Sequence, residues 1–382
     1  MQEEMVTQLK NLFLEAFYTD STAYVEHFFN TQIEKEGLKN AVTITENDQI
    51  VSAGYIIKKP AFLHERHQSV YYLTALATKQ EFRKKGYFSK LMQKMVTELY
   101  NKKIPYCFLY PFDHKFYLKY GFNNVSFCKQ VELNGNKDDC IETEYKANTE
   151  IPKKIINQLV ELEKAELSFW QGERMCSFLN CLTFGEKEIR ERIKEFSIDG
   201  KSLFTYSHKG HPGYGINKKL TDYLFAYCFK GSDKIYYYCA NVFEKERLFN
   251  LKSLRYLKAF DFQAEKNTVP YIQARVTNVL EALKTAPFYT LDLFKKRSLR
   301  NEKIVIKVVL DDLVKENNGI YEIIPTQGYG FKAYNNEVKK IEVHKAHSIS
   351  PDYTFNIKTL TKILLRGSDI THAQTNHFVE QY

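Results

Sequence analysis

An abrupt change of residue type in the stretch LTALATKQEFRKKGYFSKLMQKM, from Leu73 to Met95, constrains the fold more than any other feature of the chain. An apolar, strand-like run ends in the cationic sequence RKKG (Arg83 to Gly86), and a helical repeat of apolar residues begins at once. A turn that presents backbone N–H groups at a helix N-terminus attracts anions, because the orphan donors and the helix dipole both favour negative charge. We therefore expect a phosphate-bearing ligand at this strand–turn–helix unit.

The turn differs from the two best-known glycine-rich phosphate loops. It has neither the GxxxxGK[ST] spacing of a Walker loop nor the GxGxxG of a Rossmann turn. Gly86 allows the backbone to approach a phosphate closely, and the three cations before it add positive charge. A basic helix start can also be an ordinary solvated surface, so the turn alone leaves both interpretations open.

Composition and charge exclude several classes of protein. The chain has 382 residues, of which 44% are hydrophobic and 15% aromatic, so two or three globular domains are expected. The N-terminus does not resemble a signal peptide, and no apolar run approaches the roughly 20 residues that span a bilayer. The formal net charge of +9 comes from interspersed Lys and Glu rather than a basic block, so we expect no nucleic-acid partner. These features predict a soluble, cytoplasmic protein without a membrane partner.

Cysteine usage points to a reducing compartment. The seven cysteines are scattered without a CxxC spacing, which argues against both a zinc site and a disulfide framework. Two weaker site candidates remain. His64 and His67 are interpreted as structural histidines instead of metal ligands. Asp311 and the aspartate that follows it are interpreted as capping a helix start instead of binding a metal. The single tryptophan, Trp170, could line a substrate pocket or be buried. We expect no metal.

Apolar periodicity divides the chain into three parts. Residues 1–135 read as an α/β unit with a hairpin turning at Asn47-Asp48 and a helix from Gly86 to about Tyr100. A polar segment, 134–154, reads as a linker. Residues 150–270 repeat the order loosely, with a helix over 244–260, but the equivalent strand-to-helix junction has neither glycine nor cations. Residues 271–382 mix strands and helices, which suggests an α+β domain.

Three stretches carry a resemblance to a known family: LTALATKQEFRKKGYFSKLM, LYPFDHKFYLKYGFNNV and, later, IQARVTNVLEAL. They resemble the enhanced-intracellular-survival (Eis) family of bacterial GNAT N-acetyltransferases, in which the turn holds the pyrophosphate of acetyl-CoA. The resemblance implies an acetyl-CoA-binding GNAT domain (1–135), a second, degenerate GNAT-like domain without CoA (150–270) and a sterol carrier protein-like domain (271–382). It also implies a homo-oligomer, commonly a hexamer.

The family pattern can be carried over residue by residue. The resemblance implies that the backbone of the strand before the turn lines the pantetheine arm and that the turn surrounds the pyrophosphate. It also implies that a pair of residues at the end of the next strand borders the cofactor. These positions are Leu76, Ala77, Thr78, Arg83, Lys84, Lys85, Gly86, Tyr87, Phe88, Ser89, Phe112 and Asp113. Tyr117 matches the family's catalytic tyrosine, a general acid, and Tyr382 would supply its terminal carboxylate as the base.

Two functional hypotheses follow from these features. The first is direct acetyl transfer from acetyl-CoA to a primary amine, which could belong to an aminoglycoside, a polyamine or a peptide lysine. The second is a non-catalytic protein that retains the fold and binds CoA or an apolar ligand. Intact Gly86 and Tyr117 favour the first, because a degenerate site would be free to lose both.

Overall fold

The structure is a computed structural model, and it mixes helices with two β-sheets, which confirms the expected α/β class. It describes residues 2–17, 22–36, 38–63, 66–132, 140–146, 149–172, 185–208, 224–231, 234–240, 256–261, 269–286, 303–324, 336–342 and 349–366. None of the described helices is long and apolar enough to cross a membrane.

The described helices are α1 (Gln2–Ala16), α2 (Thr22–Glu36), α3 (Tyr87–Asn101), α4 (Lys153–Gly172), α5 (Glu186–Ile198), α6 (Val279–Thr285) and α7 (Ile357–Arg366). The described strands are β1 (Ala41–Glu46), β2 (Gln49–Leu63), β3 (Arg66–Thr78), β4 (Tyr106–Leu109), β5 (Asn123–Glu132), β6 (Cys140–Tyr145), β7 (Ser202–His208), β8 (Leu224–Gly231), β9 (Lys234–Ala240), β10 (Tyr256–Asp261), β11 (Val269–Val276), β12 (Ile304–Val309), β13 (Gly319–Ile324), β14 (Glu337–Lys340) and β15 (Tyr353–Asn356).

The predicted hairpin and helix of the N-terminal part are both present. β1 and β2 pair antiparallel around Asn47 and Asp48, which have φ values of 48° and 61°. Two successive positive φ angles are typical of the type I′ turn that matches strand twist. Helix α3 buries one face, at Leu91, Met92, Met95, Val96 and Leu99.

Helices cover both faces of the N-terminal strands. On one face α3 packs against Ile56 and Leu73. On the other face Phe13 of α1 contacts both Phe29 of α2 and Tyr55 of β2, and the three share one core. Because neighbouring residues of a strand point to opposite faces, β2 places Tyr55 and Ile56 in different cores. The end of β3 is thus held between two packed layers.

A single sheet joins the N-terminal strands to the middle of the chain. Its eleven described strands have the order β1-β2-β3-β4-β11-β5-β10-β9-β8-β7-β6. Strands β11 and β5 pair antiparallel at its centre. β4 pairs antiparallel with β11, and β3 follows it in parallel. On the other side β10 pairs antiparallel with β5, and β9 follows it in parallel. The two strands on each side of the central pair therefore repeat the same pairing pattern, one antiparallel and one parallel.

The C-terminal part forms a second sheet of four described strands in the order β14-β13-β12-β15. Helix α7 lies between this sheet and the large one, and its residues Leu360 and Leu364 share a core with Ile272 of β11 and Ile306 of β12. The Oγ1 atom of Thr361 accepts a 2.9 Å hydrogen bond from the backbone N–H of Val276. The C-terminal part is thus docked directly onto β11.

Three sequence-based boundaries need correction. The segment 134–154, read as a linker, contains the edge strand β6, whose exposed polar residues hide its strand character. The helix predicted over 244–260 is wrong from Tyr256 onward, because β10 pairs there with β5 and β9, and the rest of its range lies outside the described residues. The boundary at 271 falls inside β11, because this strand lies between β4 and β5 of the large sheet.

Candidate active site

Strand β3 separates from β4 at the point where the predicted pantetheine residues begin. The parallel pairing joins Tyr71 to Cys107 and Tyr72 to Phe108, and within the described strands it extends no further. A register shift against β2 and a positive φ of 50° at Ala75 mark a bulge in β3 at the same point. The end of β3 therefore presents backbone groups along an edge that β4 does not cover.

Hydrogen bonds fix the last residues of β3. The hydroxyl of Ser52 in β2 donates to the carbonyl of Ala77 at 2.9 Å and lies 2.8 Å from the Thr78 hydroxyl. Arg83 Nε donates to the carbonyl of Thr78 at 3.1 Å. Leu76, between the bulge and these groups, packs against the α3 core. The strand end and the start of the turn are thus held as one unit.

The turn after β3 has the geometry of an anion site. Lys84 and Gly86 have φ values of 62° and 84°, and Gly86 is the N-cap of α3 without any capping side chain. The first helical hydrogen bond runs from the N–H of Lys90 to the carbonyl of Gly86, so the N–H groups of residues 87–89 have no intrahelical acceptor. No atom lies within 4 Å of a Cβ built on Gly86. The turn therefore fits a pyrophosphate.

Aromatic rings position two lysines beside this turn. Lys85 Nζ lies 5.2 Å from the centre of the Phe82 ring, and Lys90 Nζ lies 5.1 Å from that of Tyr87. The Phe82 and Tyr87 rings meet edge to face, with 5.6 Å between their centres. Such cation–π contacts orient long side chains at the surface. The positive charge predicted from the sequence is thus concentrated at the start of α3.

The Gly86→Val variant is expected to weaken CoA binding by about 10- to 100-fold, since holding a β-branched residue at a positive φ costs about 1–3 kcal/mol. The Lys84→Ala variant should lose only about fivefold or less, because one exposed charge among several contributes about 1 kcal/mol. Titration calorimetry with CoA measures both. Gly200→Val is the matched control, because Gly200 has a φ of 72° and the same open surroundings. Equal losses for Gly86→Val and Lys84→Ala would contradict our description of the turn.

Tyr117 lies beside the first turn of α3, in a cluster of aromatic rings. Its side chain is only 3% exposed. The ring centres of Phe88, Phe112, Phe116 and Phe122 lie between 5.1 and 6.2 Å from its own. Phe88 belongs to the first turn of α3, so the predicted cofactor turn and the predicted catalytic tyrosine are in contact.

Burial raises the pKa of Tyr117 above its ordinary value, and the nearby Tyr120 and Asp113 raise it further. The phenol is therefore fully protonated at neutral pH. This direction is opposite to the lowered pKa that would make the phenol a stronger acid toward a thiolate. Tyr117 keeps its phenolic proton at neutral pH and can donate it only to a base that forms beside it.

Tyr120 is a site residue that sequence reasoning missed. Its hydroxyl lies 3.0 Å from the Ser89 hydroxyl, and its ring centre lies 5.7 Å from that of Phe88. Ser89, predicted to surround the pyrophosphate, thus uses its side chain to join α3 to the tyrosine segment. A second tyrosine three residues after Tyr117, on the same side of a helical turn, was the available signal.

Phe112 and Asp113 lie at the entrance to the same region. Phe112 is 76% exposed, the highest value among the exposed large hydrophobic residues of the described part. Its ring meets that of Tyr117 edge to face at 5.7 Å. Asp113 Oδ1 accepts a 2.8 Å hydrogen bond from the backbone N–H of Lys115, which forms the turn that leads to Tyr117. Both predicted residues therefore border the Tyr117 cluster.

Other candidates either lie outside the described residues or have structural roles. Tyr382 and His64 lie outside the described residues, as do the side chains of His67 and Trp170. Asp311 is buried and paired with Arg275, so its reading as a simple cap was incomplete. Across the ranges that the structure describes, no group of His, Cys, Asp or Glu is arranged to hold a metal ion.

Comparison with known proteins agrees with this geometry. Residues 1–125 match the family model of the acetyltransferase (GNAT) domain. The chain carries an acetyltransferase (GNAT) domain at its N-terminus. The match includes β3, the turn, α3 and Tyr117. No curated protein matches the chain.

Solved structures with low sequence identity share the fold over most of the chain. A protein of unknown function from Enterococcus faecalis V583, described as a probable N-acyltransferase, has 15% identity, a TM-score of 0.63 and coverage of 95% of this chain and 87% of its own. A GCN5-related N-acetyltransferase from Anabaena variabilis has 14% identity, a TM-score of 0.61 and coverage of 94% and 87%. Eis1 from Mycobacterium abscessus has 11% identity, a TM-score of 0.58 and coverage of 95% and 87%. The arrangement of the GNAT domain and the following residues is thus a known one.

Proposed function

We propose that the protein transfers the acetyl group of acetyl-CoA directly to a primary amine of a small molecule or peptide. One observation carries the proposal. The anion-binding start of α3 and the segment around Tyr117, which lie about 30 residues apart in sequence, meet through Phe88 and through the Ser89–Tyr120 hydrogen bond. A cofactor with a pyrophosphate at one end and a thioester at the other needs a phosphate-binding turn and a proton donor in one site, joined by a surface along which its arm can extend.

The residues divide the work between binding and proton transfer. Acetyl-CoA supplies the activated thioester. The uncovered edge at Leu76, Ala77 and Thr78 offers backbone hydrogen bonds to an extended amide-containing arm, and the N–H groups of residues 87–89 with the nearby cations bind the pyrophosphate. Each of these interactions fixes the thioester relative to Tyr117, which reduces the entropy cost of reaction.

Tyr117 is the general acid in this scheme. Tyr117 would give its phenolic proton to the departing sulfur while the amine nitrogen forms the new bond to the acetyl carbon and the carbon–sulfur bond breaks. The proton that the amine nitrogen loses would pass to the base, and the phenolate of Tyr117 would regain a proton from that base or from water. A thiol titrates near 8.5 and a phenol near 10, so complete transfer to a free thiolate would cost about 2 kcal/mol or more. Burial raises the pKa of Tyr117 and increases that cost. The proton therefore moves as the bond breaks, with the phenol donating a hydrogen bond throughout.

A thiol-release assay tests the function. Purified protein is incubated with acetyl-CoA and a panel of aminoglycosides, polyamines and lysine peptides, and free thiol is followed with time. We expect turnover with at least one amine. CoA binding without turnover across the panel would favour the alternative, a non-catalytic protein that binds CoA or an apolar ligand.

We expect one CoA site per chain. The repeated strand arrangement around β11 and β5 supports a second GNAT-like domain in residues 150–270, and the four-stranded sheet with α7 supports a sterol carrier protein-like C-terminal domain. The second junction carries Glu244 and Glu246 where cations would be needed, although it lies outside the described residues. Titration calorimetry with CoA should give a stoichiometry near one, and a value near two would contradict the degenerate assignment.

The base stays a prediction of the resemblance. In that scheme the carboxylate of Tyr382 orients and deprotonates the amine, either after burial raises its pKa or through a bridging water. A tag of a few residues after Tyr382 is expected to lower turnover severely while CoA affinity is kept. Equal turnover of tagged and untagged protein would remove the carboxylate from the mechanism. The hexamer and the cytoplasmic location are further predictions of the same kind.

A further inference from the structure

The segment that carries Tyr117 crosses over a strand from far along the chain. Residues 110–122 connect β4 to β5, and β11 lies between these two strands in the sheet. Gln273 of β11 is in register with Leu109 of β4 and with Asn124 of β5. The connection must therefore pass across β11, and side chains on that face of β11 form its support.

Gln273 binds the beginning of this segment. Its side chain is fully buried, and Nε2 donates hydrogen bonds of 2.6 Å to the carbonyl of His114 and to Oδ1 of Asn124. His114 lies three residues before Tyr117. The amide of Gln273 thus joins the approach to Tyr117 to the start of β5.

Arg275 binds the end of the same segment. It lies two residues after Gln273 on the strand, so both side chains point to the same face. Nη1 donates to the carbonyl of Tyr120 at 2.6 Å, and Nη2 pairs with Oδ1 of the buried Asp311 at 2.5 Å. Asp311 Oδ2 accepts a 2.9 Å hydrogen bond from Asn317. The guanidinium is therefore held from the C-terminal part of the chain.

Close packing shows how tightly Arg275 meets the segment. Gly121, with a φ of 80°, has no room for a side chain, because a Cβ there would lie 1.9 Å from Nη1 of Arg275 and 2.8 Å from Ile357 of α7. The glycine thus allows the guanidinium to reach the carbonyl of Tyr120. Any displacement of Arg275 would therefore also move Tyr120.

Two polar atoms of this support have no partner. Gln273 Oε1 and Arg275 Nε are buried and make no hydrogen bond within the described structure. A buried polar atom without a partner is costly, and apolar side chains of similar size would fill the space without that cost. Stability alone is therefore a poor account of why polar side chains stand on this face of β11.

We propose that Gln273 and Arg275 are positioning residues that fix Tyr117 by holding the carbonyls three residues before and three residues after it. The inference rests on the proposed acetyl transfer, in which Tyr117 must meet the departing sulfur with a precise geometry. A misplacement of about 1 Å at a reacting group can cost about 100-fold in rate. The C-terminal part of the chain, through Asp311, thereby contributes to the active site without contacting substrate.

The kinetic test uses Gln273→Met, which keeps the shape of the side chain and removes the donor. We expect kcat to fall about 10- to 100-fold with the KM for acetyl-CoA within about twofold. Combined with Tyr117→Phe, the change should have no further effect, because it acts through the missing hydroxyl. Equal fold-losses in both backgrounds would overturn the proposal.

Asn336→Leu is the matched control. Asn336 is another buried amide, and its Nδ2 donates to the carbonyls of Leu283 and Ala286 at 2.8 and 3.0 Å, away from the Tyr117 segment. This variant should lose thermal stability as Gln273→Met does, but keep its kcat. An equal loss of kcat in Asn336→Leu would mean that general destabilisation explains the effect, and the proposal would be wrong.

A second measurement does not depend on turnover. With 3-fluorotyrosine placed at position 117, the fluorine resonance should shift or broaden in Gln273→Met and remain unchanged in Asn336→Leu. An unchanged resonance in Gln273→Met overturns the positioning role whether or not the enzyme is active. The wild-type protein could instead prove inactive while the resonance still responds to Gln273→Met. That result would refute the proposed acetyl transfer but keep the conclusion that Gln273 positions Tyr117.

Discussion

The Tyr117→Phe variant is expected to lower kcat by about 10²- to 10⁴-fold, the range for a lost general acid, while acetyl-CoA affinity stays nearly unchanged. The substitution removes one oxygen and keeps the ring, so the contacts with Phe88, Phe112 and Phe116 persist. Steady-state kinetics with the best amine of the panel and calorimetry with CoA provide the two measurements.

The control for this change is Tyr227→Phe. Tyr227 is also buried, and its hydroxyl accepts a 3.3 Å hydrogen bond from Arg192 in the middle part of the chain, outside the network that holds the Tyr117 segment. Its loss should cost about 1 kcal/mol of stability and leave kcat unchanged. If Tyr117→Phe turned over as fast as the wild-type protein, Tyr117 would be a packing residue and the general acid would have to be sought elsewhere.

The second large effect concerns stability. Asp311→Ala leaves the guanidinium of Arg275 buried without its counter-ion, and removing one partner of a buried pair costs about 3–5 kcal/mol. Both side chains of the pair are at most 1% exposed. We expect the free energy of unfolding in urea to fall by this amount, and the transition of the C-terminal part to move to lower denaturant.

An exposed ion pair in the C-terminal part is the matched control. Lys303 Nζ lies 2.8 Å from Glu322 Oε1, and the lysine side chain is 53% exposed. Glu322→Ala should change stability by about 0–1 kcal/mol, because water solvates the remaining charge. Similar losses for Asp311→Ala and Glu322→Ala would show that the buried pair is not structurally important.

Local signals in the sequence were sufficient for the parts of the site that are close together in the chain. The Asn47-Asp48 turn, the amphipathic α3 and the cationic turn before it each depend on a few neighbouring residues, and each is present as predicted. Tyr117 was predicted through a motif, and the structure places its ring beside Phe88 of the predicted cofactor turn; its catalytic role stays a prediction.

Features that depend on distant pairing were mispredicted or missed. The residues from Tyr256 onward have an amphipathic pattern compatible with a helix, but pairing with β5 and β9 makes them a strand. β6 carries polar residues because it lies at the edge of the sheet. Gln273 and Arg275 contact residues more than 140 positions earlier in the chain. The sequence around them offers one indication of this role, which is that two polar residues alternate within an otherwise apolar strand.

The position of β11 has a consequence for synthesis on the ribosome. β4 and β5 emerge early, but the strand that separates them is translated only after the whole middle part of the chain. At about 5–20 residues per second, the nascent protein waits about 7–30 s for it. During this interval β4 has an unpaired edge, and the Tyr117 segment lacks the strand across which it packs in the folded protein. The growing polypeptide must therefore be protected from aggregation, or hold a provisional strand pairing, until β11 arrives and makes the catalytic half complete.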